Sequence, residues 1–206
     1  MQVVGFCPEN IMLVGDSAGG NLCLFLTRYL SYLSTSSRLD PTAESVLGLP
    51  CALCLISPWC DLSMQGSRFP SQQANAHADY LMDLDQTWFH ASLRYYDLTK
   101  ARKSVWFSPA MGSPADWEFL KDNGVRVFIS YGSAERFMDE IVATAESMRQ
   151  VGVNVQLYEV RQTTPCSSQR VPRALWTDFL GRRRHTRVSG SARKRSAPMD
   201  RLVEGV

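Results

Sequence analysis

Apolar and polar positions divide the chain into short continuous apolar runs and longer stretches with helical spacing. Residues 11–14, Ile-Met-Leu-Val, form an unbroken apolar run, as expected of a short strand buried on both faces. Leu22, Leu24, Phe25, Leu26, Tyr29 and Leu30 follow at helical spacing, which predicts a helix over residues 18–33, ended by Ser34-Thr35-Ser36-Ser37. A loop with Pro41, Gly48 and Pro50 leads into a second apolar run, residues 51–56. Residues 63–82 are polar and loop-like, and residues 83–98 then read as an amphipathic helix with Trp88, Phe89, Leu93 and Tyr96 on its apolar side. Residues 125–131 form a third apolar strand, and 137–151 a further amphipathic helix closed by Gly152. Residues 153–160 alternate as a fourth strand. Alternation of strands and helices predicts an α/β fold: a parallel sheet of about four strands with flanking helices.

The pattern ends near residue 160. Charge marks the same boundary: residues 1–160 hold 11 Lys and Arg against 17 Asp and Glu, a net of −6. Residues 161–206 hold 11 against 3, a net of +8, so the overall +2 hides two unlike halves. The second half carries Arg182-Arg183-Arg184-His185 and Ala192-Arg193-Lys194-Arg195 with few apolar residues after Leu180. A domain over 1–160 and a basic, disordered tail over 161–206 are therefore expected. Without interleaved aromatic residues or a recognisable module, the basic clusters read as a solvated tail rather than a nucleic-acid site.

At 206 residues and 45% hydrophobic content the chain can bury one real core. No apolar run approaches the roughly 18 residues that cross a bilayer. Residues 1–10 lack a basic segment followed by an apolar one, so a cytoplasmic location is the expectation. Cys51 and Cys54 form a C-x-x-C, but in a strand a spacing of three points them to opposite faces, and no second pair completes a zinc site. They are expected to pack in the interior, and neither a metal nor a cofactor is expected.

Between the first strand and the first helix stands Gly15-Asp16-Ser17-Ala18-Gly19-Gly20-Asn21-Leu22. Gly15 and Gly19 frame Ser17 two residues to either side, the G-x-S-x-G pattern in which a serine occupies a sharp strand-to-helix turn and its hydroxyl stands clear of the backbone. The small neighbours let helix and strand approach closely. The amide of Ala18 then opens a helix N-terminus, whose partial positive charge suits a developing oxyanion. A phosphate loop is disfavoured because no Lys follows, and the glycines do not fall at G-x-G-x-x-G.

This string resembles the nucleophile motif of the hormone-sensitive-lipase-like branch of the α/β-hydrolases. Similar features continue to about Val160: Ser57-Pro58-Trp59 with Asp61-Leu62, Asp79-Tyr80-Leu81, Ser108-Pro109, and Gly132-Ser133-Ala134-Glu135 with Asp139-Glu140. The resemblance implies a serine carboxylesterase or lipase acting on a small ester, with Ser17 as nucleophile and Glu135 as the acid that orients a histidine. Glu135 follows a strand's C-terminal end, in the nucleophile-then-acid order of that fold, although the family more often has Asp there. Trp59 closes the second strand at the edge where ligands of open α/β sheets gather, so it is either a substrate-pocket residue or a core aromatic. Asp61 reads as a turn or cap residue.

Other parts implied by the resemblance are not found. A His-Gly-Gly oxyanion loop and further strands precede the serine in the family, whereas ten residues precede the first strand here. The family's histidine follows the last strand within about ten residues, but residues 161–170 read Arg-Gln-Thr-Thr-Pro-Cys-Ser-Ser-Gln-Arg. His77 and His90 fall elsewhere and read as surface or packing residues; His185 is flanked by arginine, which disfavours its cation. The expectation is a partial α/β-hydrolase with its N-terminal strands missing, residues 62–107 as a cap-associated insertion, and the first strand an apolar edge open to self-association. Its activity as a carboxylic-ester hydrolase is expected to be impaired. The alternative is a non-catalytic, hydrolase-like binding or interaction module.

Overall fold

The computed structural model describes residues 7–35, 48–62, 68–79, 81, 100 and 103–161. Four strands form one sheet in the order β1-β2-β3-β4: β1 Met12–Asp16, β2 Ala52–Ile56, β3 Arg126–Gly132 and β4 Val155–Val160. All three pairings are parallel, with Met12 opposite Ala52, Ala52 opposite Arg126, and Val127 opposite Val155. The strands follow the predicted runs to within two residues. The predicted amphipathic helix over 83–98 and the tail over 162–206 lie outside the described residues, as does most of the cap-associated insertion.

Helix α1 spans Ala18–Thr35 and links β1 to β2. Short helices α2, Ser71–Ala74, and α3, Glu118–Asp122, precede β3, and α4, Met138–Gln150, links β3 to β4. In a sheet whose strands follow one another in simple order, crossovers of one hand put their helices on the same side. Accordingly α1, through Cys23 and Leu24, and α4, through Ile141, Ala145 and Met148, share one core with Leu53, Leu55, Val127 and Ile129. Trp117 and Leu120 complete it. Alternate strand residues point the other way, where Ala52, Cys54 and Phe128 make a smaller buried cluster.

Two details differ from the sequence reading. Cys51 lies one residue ahead of β2, so strand alternation does not apply to it, and it packs against the same cluster as Cys54. In α1 the buried stripe is Gly20, Cys23, Leu24 and Thr27, while Leu22, 62% exposed, and Leu26 and Tyr29 face outward. The helix is apolar on two sides, and spacing alone does not say which of them meets the sheet. No helix among the described residues is long and apolar enough to cross a membrane.

Candidate active site

The C-terminal ends of β1, β2 and β3 converge on a pocket of about 300 Å³. Asp16 and Ser17 line it from the end of β1, Ile56 and Ser57 from the end of β2, and Glu135 and Phe137 from the loop after β3. Asp79 and Leu81 close it from the segment before β3. Ser17 and Glu135, paired by the sequence reading across 118 positions, thus line one cavity.

Ser17 occupies the one-residue junction between β1 and α1 with φ 51°. A left-handed backbone is costly for a non-glycine residue, and surrounding bonds must hold it. Its N–H donates to Ile56 O at 2.9 Å, and its carbonyl accepts from Gly20, Asn21 and Trp59. Gly15 makes the turn possible: a Cβ there would run into the carbonyl of Gly19 and stand 2.6 Å from Gly20 N. Gly20 is needed as well, since its Cβ would lie 2.7 Å from Pro58 Cβ, whereas a Cβ on Gly19 meets open space. Close packing therefore rests on Gly15 and Gly20. Ala18 is the first residue of α1, where a backbone N–H has no acceptor one helical turn before it.

Ser57, the residue after β2, is in the same unusual backbone state, φ 44°. Among the described residues these two serines are the non-glycine residues with positive φ, and both line the pocket. Ser57 Oγ donates to Glu135 Oε1 at 2.7 Å. Glu135 itself folds back against Gly132, where a Cβ would stand 3.0 Å from Oε1. Residues before β3 hold the backbone of this loop. Asn75 Nδ2 donates to Glu135 O at 2.9 Å, and Asp79 accepts from Arg136 N at 2.8 Å and from Leu81 N at 3.0 Å. Arg136 returns a bond from Nη1 to Leu81 O, and Ser71 Oγ donates to Arg136 O.

Behind the pocket, Glu140 on α4 is fully buried and ties the loop after β2 to that helix. Its Oε1 accepts from Cys60 N at 2.8 Å and Asp61 N at 2.9 Å, and its Oε2 accepts from Gln72 Nε2 at 2.9 Å. Burial pushes the Glu140 carboxyl up to about 8; the Gln72 bond opposes the rise and the neighbouring Asp61 adds to it. Asp61 is fully buried. Asn21 performs a similar task from α1, donating to Trp59 O and Phe107 O at 2.8 Å each.

Trp59 is half-buried, stacks on Phe137 with ring centroids 6.0 Å apart, and donates from Nε1 to Asp61 O. It backs Phe137 and is not one of the residues lining the pocket. His77 is exposed and does not line the pocket; His90 and His185 lie outside the described residues. Sequence reading gave no role to Ser57, Asn75, Asp79 or Glu140. For Glu140 a signal was present, because it falls in the same helical stripe as Ile141, Thr144, Ala145 and Met148, and an acid on an apolar face requires buried partners. For the others, polar residues in loops, no periodicity exists to mark them.

A protein family described by the alpha/beta hydrolase fold matches residues 2–165. An ethyl acetate hydrolase from Pseudomonas putida is 28% identical over 156 residues, covering 76% of this chain and 42% of that protein. The chain thus spans less than half the length of this relative. Among solved structures, a carboxyl esterase from the mycorrhizal fungus Tuber melanosporum is 23% identical with a TM-score of 0.57, covering 77% of this chain and 46% of the other. An esterase from the bacterial hormone-sensitive lipase family is 24% identical with a TM-score of 0.54, covering 76% and 45%. These two likenesses speak to the fold, and they agree with the parallel sheet and its crossovers. The chain belongs to the family of the alpha/beta hydrolase fold.

Proposed function

We propose that this chain carries the nucleophile and acid of a carboxylic-ester hydrolase of the hormone-sensitive-lipase-like branch. The observation that supports it is the pocket at the sheet's C-terminal edge, lined by both a serine held in a left-handed strand-to-helix turn and a loop carboxylate. In this reading Ser17 Oγ attacks the ester carbonyl and expels the alcohol, giving an acyl-enzyme that water then hydrolyses. In a complete site a histidine would take the Ser17 proton and pass it to the departing alcohol, with Glu135 orienting that histidine and stabilising its cation, while the Ala18 amide at the head of α1 donates to the oxyanion. Phe137 and Leu81 supply the apolar wall for a small acyl or alkyl group, with Trp59 backing Phe137.

Impaired turnover is part of the proposal. No histidine lines the described pocket, and residues 161–170 after β4 contain none. Without a histidine to take its proton Ser17 is a weak nucleophile, and turnover through it is slowed by several orders of magnitude. The purified chain should therefore hydrolyse p-nitrophenyl butyrate slowly, and Ser17→Ala should abolish that rate. A folded protein whose rate is unchanged by Ser17→Ala overturns the reading. The pocket without a base supports a second reading, a binding module, shown by saturable ester binding with no turnover dependent on Ser17.

Self-association is proposed through β1. That strand pairs on one side only in the described sheet, and Val14 within it and Ile11 just before it are 56% and 40% exposed. A second copy paired edge to edge about a two-fold axis would continue the sheet and cover these residues.

A further inference from the structure

Resting on the hydrolase reading of the pocket, we infer that Ser57 is a positioning residue for Glu135, its strained backbone aiming the hydroxyl so that the carboxylate is fixed in the pocket wall. The backbone at Ser57 runs against its local sequence. It precedes Pro58, which favours an extended conformation, yet φ is 44°. Three contacts impose this state. Ser57 N–H donates to Ser130 O at 2.7 Å, Pro58 seats against the bare Cα of Gly20, and Trp59 N–H donates to Ser17 O at 3.0 Å. The loop after β2 is thereby locked to β3 on one side and to the Ser17 turn on the other. An element that departs from local preference and is held by its surroundings is the pattern of a functional constraint.

That constraint delivers one hydroxyl. Ser57 Oγ has a single proton, and the 2.7 Å bond directs it to Glu135 Oε1. Glutamate has one more side-chain torsion than aspartate, so a carboxylate at position 135 has more freedom to lose before it can hold an imidazole in one orientation. Ser57 removes that freedom from one side and the glycine backbone at 132 from the other. The same loop also carries the bond from Trp59 N–H to Ser17 O, so the segment that holds the acid is tied to the nucleophile turn as well. The hydroxyl acts on Glu135 and takes no part in bond-making.

The test compares Ser57→Ala and Ser57→Gly in the full chain. Glycine tolerates the left-handed backbone, so Ser57→Gly should stay folded while lacking the hydroxyl. In crystal structures of both variants, the Glu135 carboxylate should leave its wild-type rotamer. With p-nitrophenyl butyrate and added imidazole as the base, the Ser17-dependent kcat should fall about tenfold at unchanged KM, the size expected for one hydrogen bond to a charged group. In a Glu135→Gln background the same substitutions should have no further effect on kcat. A carboxylate that stays in place in Ser57→Gly, or a full loss that persists in the Glu135→Gln background, overturns the inference. Should the wild-type chain show no turnover dependent on Ser17, the hydrolase reading falls, and the rotamer comparison alone decides the role of Ser57.

Discussion

Glu140 shows how a single side chain can serve structure beside a site. Its carboxyl is fully buried with three N–H donors, and burial raises it from 4.5 to about 8. Between those values the unfolded chain has released the proton that the folded state keeps. Stability therefore falls as pH rises through this window and is lost no further above it. Glu140→Gln keeps the shape and, with the Gln72 amide turned, keeps every bond; chemical denaturation of this variant should show a flatter pH dependence between pH 5 and about 8. Glu140→Ala strands the Cys60 and Asp61 amides and should cost about 3 kcal/mol or more in the same measurement. The glycines of the Ser17 turn make a sharper pair. Gly15→Ala puts a methyl into the α1 backbone and should give no folded protein, while Gly19→Ala, open to space, should shift the melting temperature by no more than a few degrees. The sequence pattern treats these two glycines alike, and only the packed turn separates them.

At the scale of elements, the acid loop after β3 is held from outside itself. The segment containing α2 reaches it through Asn75, Asp79 and Ser71, so the stretch read as a polar loop is a clamp on Glu135. Asp79→Ala removes the acceptor for both Arg136 N and Leu81 N and should lower stability by about 2 kcal/mol. The same variant should cut more readily within residues 133–137 under limited proteolysis; unchanged cleavage would mean that α4 alone fixes the loop. Strand runs and helix periods were legible because burial on both faces leaves an apolar run and amphipathicity leaves a period. The clamp was not, since Ser71, Asn75 and Asp79 act through single bonds with partners up to 68 residues away.

For the whole molecule the consequence is an asymmetric sheet. β4 and β1 are the two ends of the described sheet, and on the β1 side Val14 and the outward stripe of α1 are exposed apolar surface among the described residues. If that edge pairs with a second copy, sedimentation should shift from monomer to dimer with rising concentration. Val14→Lys should move the transition to higher concentration, by placing charge where an edge would pair. A wild-type chain that stays monomeric across the same range would remove self-association from the account.

By itself the sequence determined the order of strands and helices, the serine turn and the carboxylate that follows the third strand, because each is written in neighbouring residues: an apolar run, a helical period, a pair of framing glycines. Tertiary structure alone decided which face of α1 meets the sheet, that Ser17, Ser57 and Glu135 share one cavity, and that Glu140 and Asp79 hold the loops around it. The physical reason is range. Local steric and hydrophobic preferences act within a few residues, whereas the site is assembled by hydrogen bonds spanning 57 to 80 positions, which form only once the parallel crossovers have brought three strand ends together.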